Sequence, residues 1–507
     1  MVSRARTVAF IGMKPTEIIV ESQISPGMAS FCIVGLPDKT VGEAKERIRS
    51  AFFQLGLGFP QKRVTVNMAP ADIPKAGSHY DLPIALSILG AMDAIDASLL
   101  ENIVAVGELG LDGNLPYISG TICAAMLANE RGMSIICPKA CEKEAVWSGN
   151  DSVVAPPNIM SLVNHLRGTS QLTSPVVQCM NHDKLEYGID LADVHGQLVA
   201  KRAIEVAAAG GHNVLMVGPP GSGKSMLATR ARTILPTLSP EEALETTCIY
   251  SLAGMLPEDG LIYTPPYREP HHSASLISIV GGGSDAKPGE LSLAHNGILF
   301  LDELPEFQRN TIEALRQPLE TNNITISRAK EHITYPANIQ LIAAMNPCKC
   351  GSYGDSKKQC SKAPRCAIEY RNKISGPILD RFDITVYVSS VKVSELFCNE
   401  KRVDSKTVRA RVAEARVKQH IRSKSCGHTG YYLNGKANGR YLDDITKLDT
   451  KTASFFQKAV MYSDISTRSC HKILRVSRTI ADLDGSTQIK QSHVAEALQY
   501  RLLTLNR

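Results

Sequence analysis

Aromatic side chains are scarce, at 5% of 507 residues with a single tryptophan, so base stacking is not the expected mode of any nucleic-acid contact. No apolar run approaches the roughly eighteen residues that a membrane-spanning helix needs, which excludes a helical integral membrane protein. Residues 1–20 lack an apolar core followed by a small-residue cleavage site, so a cytoplasmic protein with no membrane partner is expected. Neither sign of charge dominates: 56 Lys and Arg against 50 Asp and Glu leave a formal net charge of +6. That balance permits nucleic-acid binding without arguing for it. Repeats of fixed period are also absent, which excludes a solenoid or propeller.

The 507 residues exceed what one hydrophobic core usually organises, so several domains are expected. Residues 1–167 interleave strand-like segments (VAFIG, EIIVESQI, FCIVGL) with an amphipathic helical segment, VGEAKERIRSAFFQL, and read as one mixed α/β domain. In residues 168–188 the periodicity fades into Ser, Thr, Pro and Asn, as in a linker. Residues 189–390 alternate short apolar strands, among them NVLMV, GILFL and IQLIAAM, with helical segments, the signature of a parallel sheet covered on both faces. Residues 391–507 are helical in pattern, with segments near 405–422, 451–461, 467–483 and 491–502. The expected architecture is therefore a multidomain α/β protein ending in an all-helical lid.

The chemistry-bearing pattern lies in the third of these segments. Gly218-Pro219-Pro220-Gly221-Ser222-Gly223-Lys224-Ser225 matches G-x-x-x-x-G-K-[ST] between a strand and a helix. Glycines there let backbone N–H groups turn inward around phosphates, and the helix N-terminus adds positive potential. Lys224 is expected on the β- and γ-phosphates of ATP and Ser225 on Mg²⁺. The strand Gly297-Ile-Leu-Phe-Leu ends in Asp302-Glu303, where Asp302 is placed for the Mg²⁺ shell and Glu303 to polarise the attacking water.

These motifs resemble those of AAA+ ATPases. The resemblance implies that Asn346, after the strand IQLIAAM, is the polar sensor beside the γ-phosphate. It also implies that Arg381, in LDRFD, is an arginine finger offered to a neighbouring subunit's ATP. In the lid, Arg468 in Ser466-Thr-Arg resembles the second sensor, with Arg475 and Arg478 as competitors. Arg268-Glu-Pro-His-His272, Val280-Gly-Gly-Gly-Ser284, Pro288-Gly-Glu-Leu-Ser-Leu-Ala-His-Asn-Gly297 and Ile324-Thr-Ile-Ser-Arg328-Ala carry the resemblance further. Together with LDRFD they resemble the magnesium-chelatase-like ATPases of the YifB/ComM family.

That resemblance implies a hexameric helicase driving branch migration of DNA in homologous recombination and natural transformation. The other reading it allows is a chelatase-type or protein-remodelling ATPase that does not act on DNA. Residues 324–327 and 332–335 alternate like two strands of a hairpin with Arg328 and Lys330 near its tip, where basic side chains meet phosphates if the hairpin lines a pore, as in related ring helicases. The Arg268-to-Ser284 segment resembles a second pore-facing insertion. Residues 401–425 hold nine Lys or Arg against two acids, either along a nucleic-acid channel or as a solvated helix face.

Thirteen cysteines in such a chain point to thiols or metal ligands rather than disulfides. Cys348, Cys350, Cys360 and Cys366 fall within nineteen residues of a polar stretch and are a candidate structural Zn²⁺ set, with free thiols the alternative. Residues 1–167 resemble a Lon-protease-like domain through the segments Val66 to Ala85 and Val106 to Pro116. The positions of the protease Ser-Lys dyad read His79 and Ile122, so no protease activity is expected, a rearranged pair of Ser78 and Lys75 being the alternative. Lys45, Arg47, Arg49, Lys62 and Arg63 are either DNA-guiding or scattered surface charges.

Overall fold

Ten alternating residues, VSRARTVAFI, can bury one face of a strand only against a partner of similar length, and the following KPTEIIVESQIS supplies it. In the computed structural model β1 (Val2–Ile11) and β2 (Lys14–Ser25) pair antiparallel over their whole length, from Val2 opposite Gln23 to Ile11 opposite Lys14. The strands run further toward the N-terminus than the apolar pattern suggests because Arg4 and Arg6 find Glu21 and Glu17 across the ladder. The structure describes residues 2–505 apart from 175–186, 258–259, 284–285, 328–331, 352, 354–359, 361, 391–401, 428–432 and 463–464.

Then follow β3 (Ser30–Val34), α1 (Lys39–Gln54), β4 (Arg63–Ala69), α2 (Asp81–Ala91), β5 (Ile103–Ala105), α3 (Thr121–Glu130), β6 (Ser134–Ile136) and β7 (Val153–Val154). The resulting seven-stranded mixed sheet has the order β3-β4-β2-β1-β5-β6-β7. Asp38 caps α1 by accepting from Val41 N. Helix α2 is buried from Asp81 to Gly90 and forms the centre of this part of the chain. Asp81 enters that core because Arg47 grips both carboxylate oxygens, at 2.6 and 3.0 Å, which accounts for one of the basic side chains considered for DNA.

The central region contains α4 (Leu198–Gly210), β8 (Val214–Val217), α5 (Lys224–Ala231), α6 (Pro240–Ala253), β9 (Tyr267–Arg268) and a short pair, β10 (Gly281–Gly282) with β11 (Lys287–Pro288). It continues with β12 (Ile298–Leu301), β13 (Asn323–Ser327), β14 (His332–Pro336), β15 (Gln340–Met345) and β16 (Ile384–Tyr387). Five strands form a sheet of order β16-β8-β15-β12-β9, and every pairing in it is parallel. Strands β12 and β15 are buried at every residue, as expected of a sheet with both faces covered.

The C-terminal helices are α7 (Ser405–Ser425), α8 (Thr450–Tyr462), α9 (Thr467–Leu483) and α10 (Gln491–Leu505). Most of the α7 guanidinium groups are turned to structural use. Arg416 donates twice to Ala208 O, at 3.0 and 2.7 Å, and Gln419 donates to Ala209 O, so α7 closes the exposed carbonyls at the end of α4. Arg411 pairs with Glu205, and Arg422 holds both oxygens of the buried Asp482. The basic run is thus largely a clamp between lid and core, and Lys406 and Lys424 are among its exposed cations.

His79 is buried with Nε2 2.9 Å from Val8 O. Burial pushes its pKa down to about 4, against a partial opposing pull from the Val8 carbonyl and Asp38. The unfolded chain protonates near the ordinary 6.5, so this histidine's contribution is complete above that pH and is lost as pH falls toward 4. The melting temperature is expected to drop between pH 7 and pH 5. His79→Gln, which keeps an uncharged donor for Val8, should flatten the drop; equal slopes for both proteins would acquit His79.

Candidate active site

Strand β8 is buried over its first three residues, and its C-terminal end releases the chain into the glycine-rich loop. Gly223 adopts φ +89, open to glycine at little cost, which lets the loop turn directly into α5. Lys224 is 8% exposed, and its Nζ donates to Gly218 O at 2.8 Å, Pro219 O at 2.9 Å and Asn346 Oδ1 at 3.2 Å. Burial pushes the Lys224 pKa down, and the carboxylates of Asp302 and Glu303 pull it back up.

Strand β12 lies beside β15, and β15 beside β8, so Asp302, Asn346 and the glycine loop emerge at the same edge of the sheet. Ser225 Oγ donates to Asp302 Oδ2 at 2.6 Å. These are the two oxygens expected to hold Mg²⁺, and a hydroxyl facing a carboxylate is a donor set that fits a hard cation. Glu303 takes a left-handed backbone, φ 50, which costs an L-residue about 1 kcal/mol and is held here at the strand end. A cavity of about 370 Å³ is lined by Pro220 to Met226, Asp302, Glu303, Met345 and Asn346. The loop, the two carboxylates and Asn346 therefore form one cluster.

Arg381 and Arg468 are not part of it. Asp383 N donates to Asn213 O, and Ile384 pairs with Val214, so Arg381 sits before β16 beside the N-terminal end of β8. The length of β8, about 13 Å, separates that end from the phosphate loop. Arg381 pairs with Glu320. Arg468 is 75% exposed, with Nη1 3.7 Å from Asp380, the residue next to Arg381. Arg475 and Arg478 are spoken for: Arg475 donates to Asn438, and Arg478 to Asp482 and the carbonyls of Ser486 and Thr487. Arg328 and Lys330 lie outside the described residues; the strands flanking them, β13 and β14, do pair antiparallel, from Asn323 opposite Pro336 to Ser327 opposite His332.

Cys348, Cys350, Cys360 and Cys366 converge, their Sγ atoms all within 4.8 Å of one another. A zinc tetrathiolate has sulfurs about 3.8 Å apart, so the set fits that ion. In the N-terminal part, His79 and Ile122 are both buried, Ser78 Oγ donates to Glu108, and Lys75 Nζ is turned to Pro70 O.

Two residues escaped the sequence reading. Glu269 follows β9, the neighbour of β12, and accepts from Tyr267 Oη at 3.3 Å. Burial pushes its carboxyl pKa up, against the pull of the Tyr267 hydroxyl, and the charge of Asp302 adds to the rise. Its signal is its position at the end of a strand adjoining the Asp-Glu strand. Asp380 gathers Lys472, Arg501 and Arg468 from the lid, a role no local pattern announces.

A phosphate-binding loop on an all-parallel sheet with a helical lid behind it places the protein in a class, the P-loop ATPases of AAA+ type. Residues 190–396 match the family described as magnesium chelatase, subunit ChlI; residues 20–141 match subunit ChlI of Mg-chelatase, and residues 402–501 the ChlI C-terminal region. The competence protein ComM of Haemophilus influenzae is 42% identical, over 98% of this chain and 96% of its own length. The uncharacterized protein YifB of Salmonella typhimurium is 41% identical over the same shares. A more distant match, 26% identical over 64% of this chain and 36% of the relative, is the DNA replication licensing factor Mcm6 of Drosophila melanogaster. The chain belongs to the ComM/YifB family of magnesium-chelatase-like AAA+ ATPases.

Lys224→Ala should lose binding of Mg²⁺–ATP in a calorimetric titration. Glu303→Gln should bind with unchanged affinity while turnover falls by about two to four orders of magnitude. Normal hydrolysis by the Glu303 variant would remove that residue from the chemistry.

Proposed function

We propose that this ATPase is a six-membered ring motor: a DNA translocase that drives branch migration of recombination intermediates, as in natural transformation. The observation that carries assembly is the position of Arg381. A guanidinium at the sheet end opposite its own phosphate loop acts on ATP only from a neighbouring subunit, where it stabilises charge on the transferring phosphoryl group. Arg468, beside it at Asp380, reaches the same neighbouring nucleotide. Within one subunit Lys224 neutralises the β- and γ-phosphates, Asn346 orients the hydrolytic water and Glu303 polarises it. Mg²⁺ held by Ser225 and Asp302 supplies further charge neutralisation.

DNA as the object moved is supported by two of the relatives, a competence protein and a DNA replication licensing factor. It is supported also by the β13–β14 hairpin that precedes Asn346, whose intervening residues include Arg328 and Lys330. A chelatase-type or protein-remodelling ATPase is the second reading, favoured by the family description itself.

ATP turnover is expected to rise on adding single-stranded or four-way-junction DNA, and a mobile junction should be resolved only with ATP and not by Lys224→Ala. Turnover indifferent to every DNA form would favour the second reading. Mixing Arg381→Ala with Glu303→Gln subunits should restore part of the activity that each lacks alone, because some interfaces then combine two intact halves; no recovery would argue that Arg381 does not act across subunits.

A further inference from the structure

The cysteine loop and the phosphate loop touch. Asn346, whose Oδ1 accepts from Lys224 Nζ, is followed by Pro347 and then Cys348, so the loop starts at the edge of the nucleotide cavity. Cys348 is fully buried, its carbonyl accepts from Gly351 N at 2.9 Å, and its Sγ accepts from Tyr353 N at 3.3 Å. An amide aimed at sulfur is the kind of outer contact that fixes the direction of a ligating side chain. Cys348 and Cys350 Sγ stand 3.2 Å apart, and Cys360 and Cys366 complete the group. The stretch between them, GSYGDSKKQCSKAPR, has almost nothing apolar to pack. A metal ion is the ordinary way to order such a loop.

Gly351 presses this loop onto the phosphate loop. Its backbone is left-handed, φ +77, and a Cβ placed there would stand 2.5 Å from Pro220 Cδ and 2.6 Å from Pro220 Cγ. Pro220 itself lines the nucleotide cavity. The loop is therefore anchored at one end to Asn346 and rests through Gly351 on the backbone that cradles phosphate.

We propose that Cys348, Cys350, Cys360 and Cys366 bind one Zn²⁺ ion and that this knot holds Pro220 and Asn346 in their nucleotide-binding positions, so that ATP affinity depends on zinc occupancy. The proposal rests on the ATPase reading and adds a second ion, held by thiols and not by Ser225 or Asp302, to what that site requires.

Metal analysis of the purified full-length chain should find about one zinc per chain. A zinc-selective chelator, applied with Mg²⁺ in excess, should weaken binding of a fluorescent ATP analogue about tenfold, and added Zn²⁺ should restore it. Gly351→Ala tests the contact without touching a ligand: zinc stays stoichiometric while nucleotide binding weakens by about tenfold, the cost of a strained, crowded Cβ at that position. Absence of zinc overturns the proposal, as does a zinc-free chain, folded by circular dichroism, that binds the analogue as tightly as before. Unchanged affinity in Gly351→Ala overturns the Pro220 contact as the route. A chain that holds zinc yet binds no nucleotide at all overturns the ATPase reading and the coupling with it.

Discussion

A parallel sheet has two unlike ends, and that polarity arranges everything else in the central part of the chain. Because β9, β12, β15 and β8 run the same way, Glu269, Asp302, Asn346 and the phosphate loop must emerge along one edge, although they are scattered through the sequence. The same constraint sends Arg381 to the other edge, where β16 begins. Parallel strands require crossover segments on both faces, so the central strands β12 and β15 are buried at every residue. Burial in turn makes Lys224 depend on the carbonyls of its own loop and on Asn346 for partners.

The lid is held by charges taken out of water, not by a broad apolar seam alone. Asp482 is 2% exposed and accepts from Arg422, Arg478 and Asn434, while Asp380 collects Lys472 and Arg501. Each carboxylate has several donors, the condition under which burying an ion pair is tolerable. Loss of Asp482 would strand two guanidinium groups, a defect of about 3–5 kcal/mol. The lid and the Arg381 loop meet at Asp380 and at the Phe382 carbonyl, both held by Lys472 and Arg501, which ties the position of one to that of the other.

Local pattern carried much of this architecture. The glycine loop and the Asp-Glu strand are legible because phosphate and Mg²⁺ demand fixed residue types at fixed spacing, and the structure gathers them into one cavity. The four cysteines, clustered in sequence, also converge in space. What composition misjudged was α7. Its charges suit either a nucleic-acid channel or a solvated face, but Arg411, Arg416 and Arg422 are answered by Glu205, Ala208 O and Asp482, partners far away in sequence. Glu269 and Asp380 escaped notice likewise, since their roles arise from strand adjacency and lid docking. The strands β1 and β2 exceeded their apolar pattern because cross-strand ion pairs sustain polar residues in a ladder.

The turn between β1 and β2 bears on how the chain can be divided. Ile11 and Met13 pack against the apolar cluster formed by Leu299, Leu301, Ile326, Ile333 and Leu341 of the central sheet and hairpin. On the same side, Gly120 N and Glu144 both bond Ser251 Oγ on α6. The two regions have separate sheets but share a greasy seam with a polar latch. Cutting the gene between them would yield an ATPase fragment with a raw hydrophobic face, prone to self-association in solution, so that any oligomer it formed would report the wound and not the native ring.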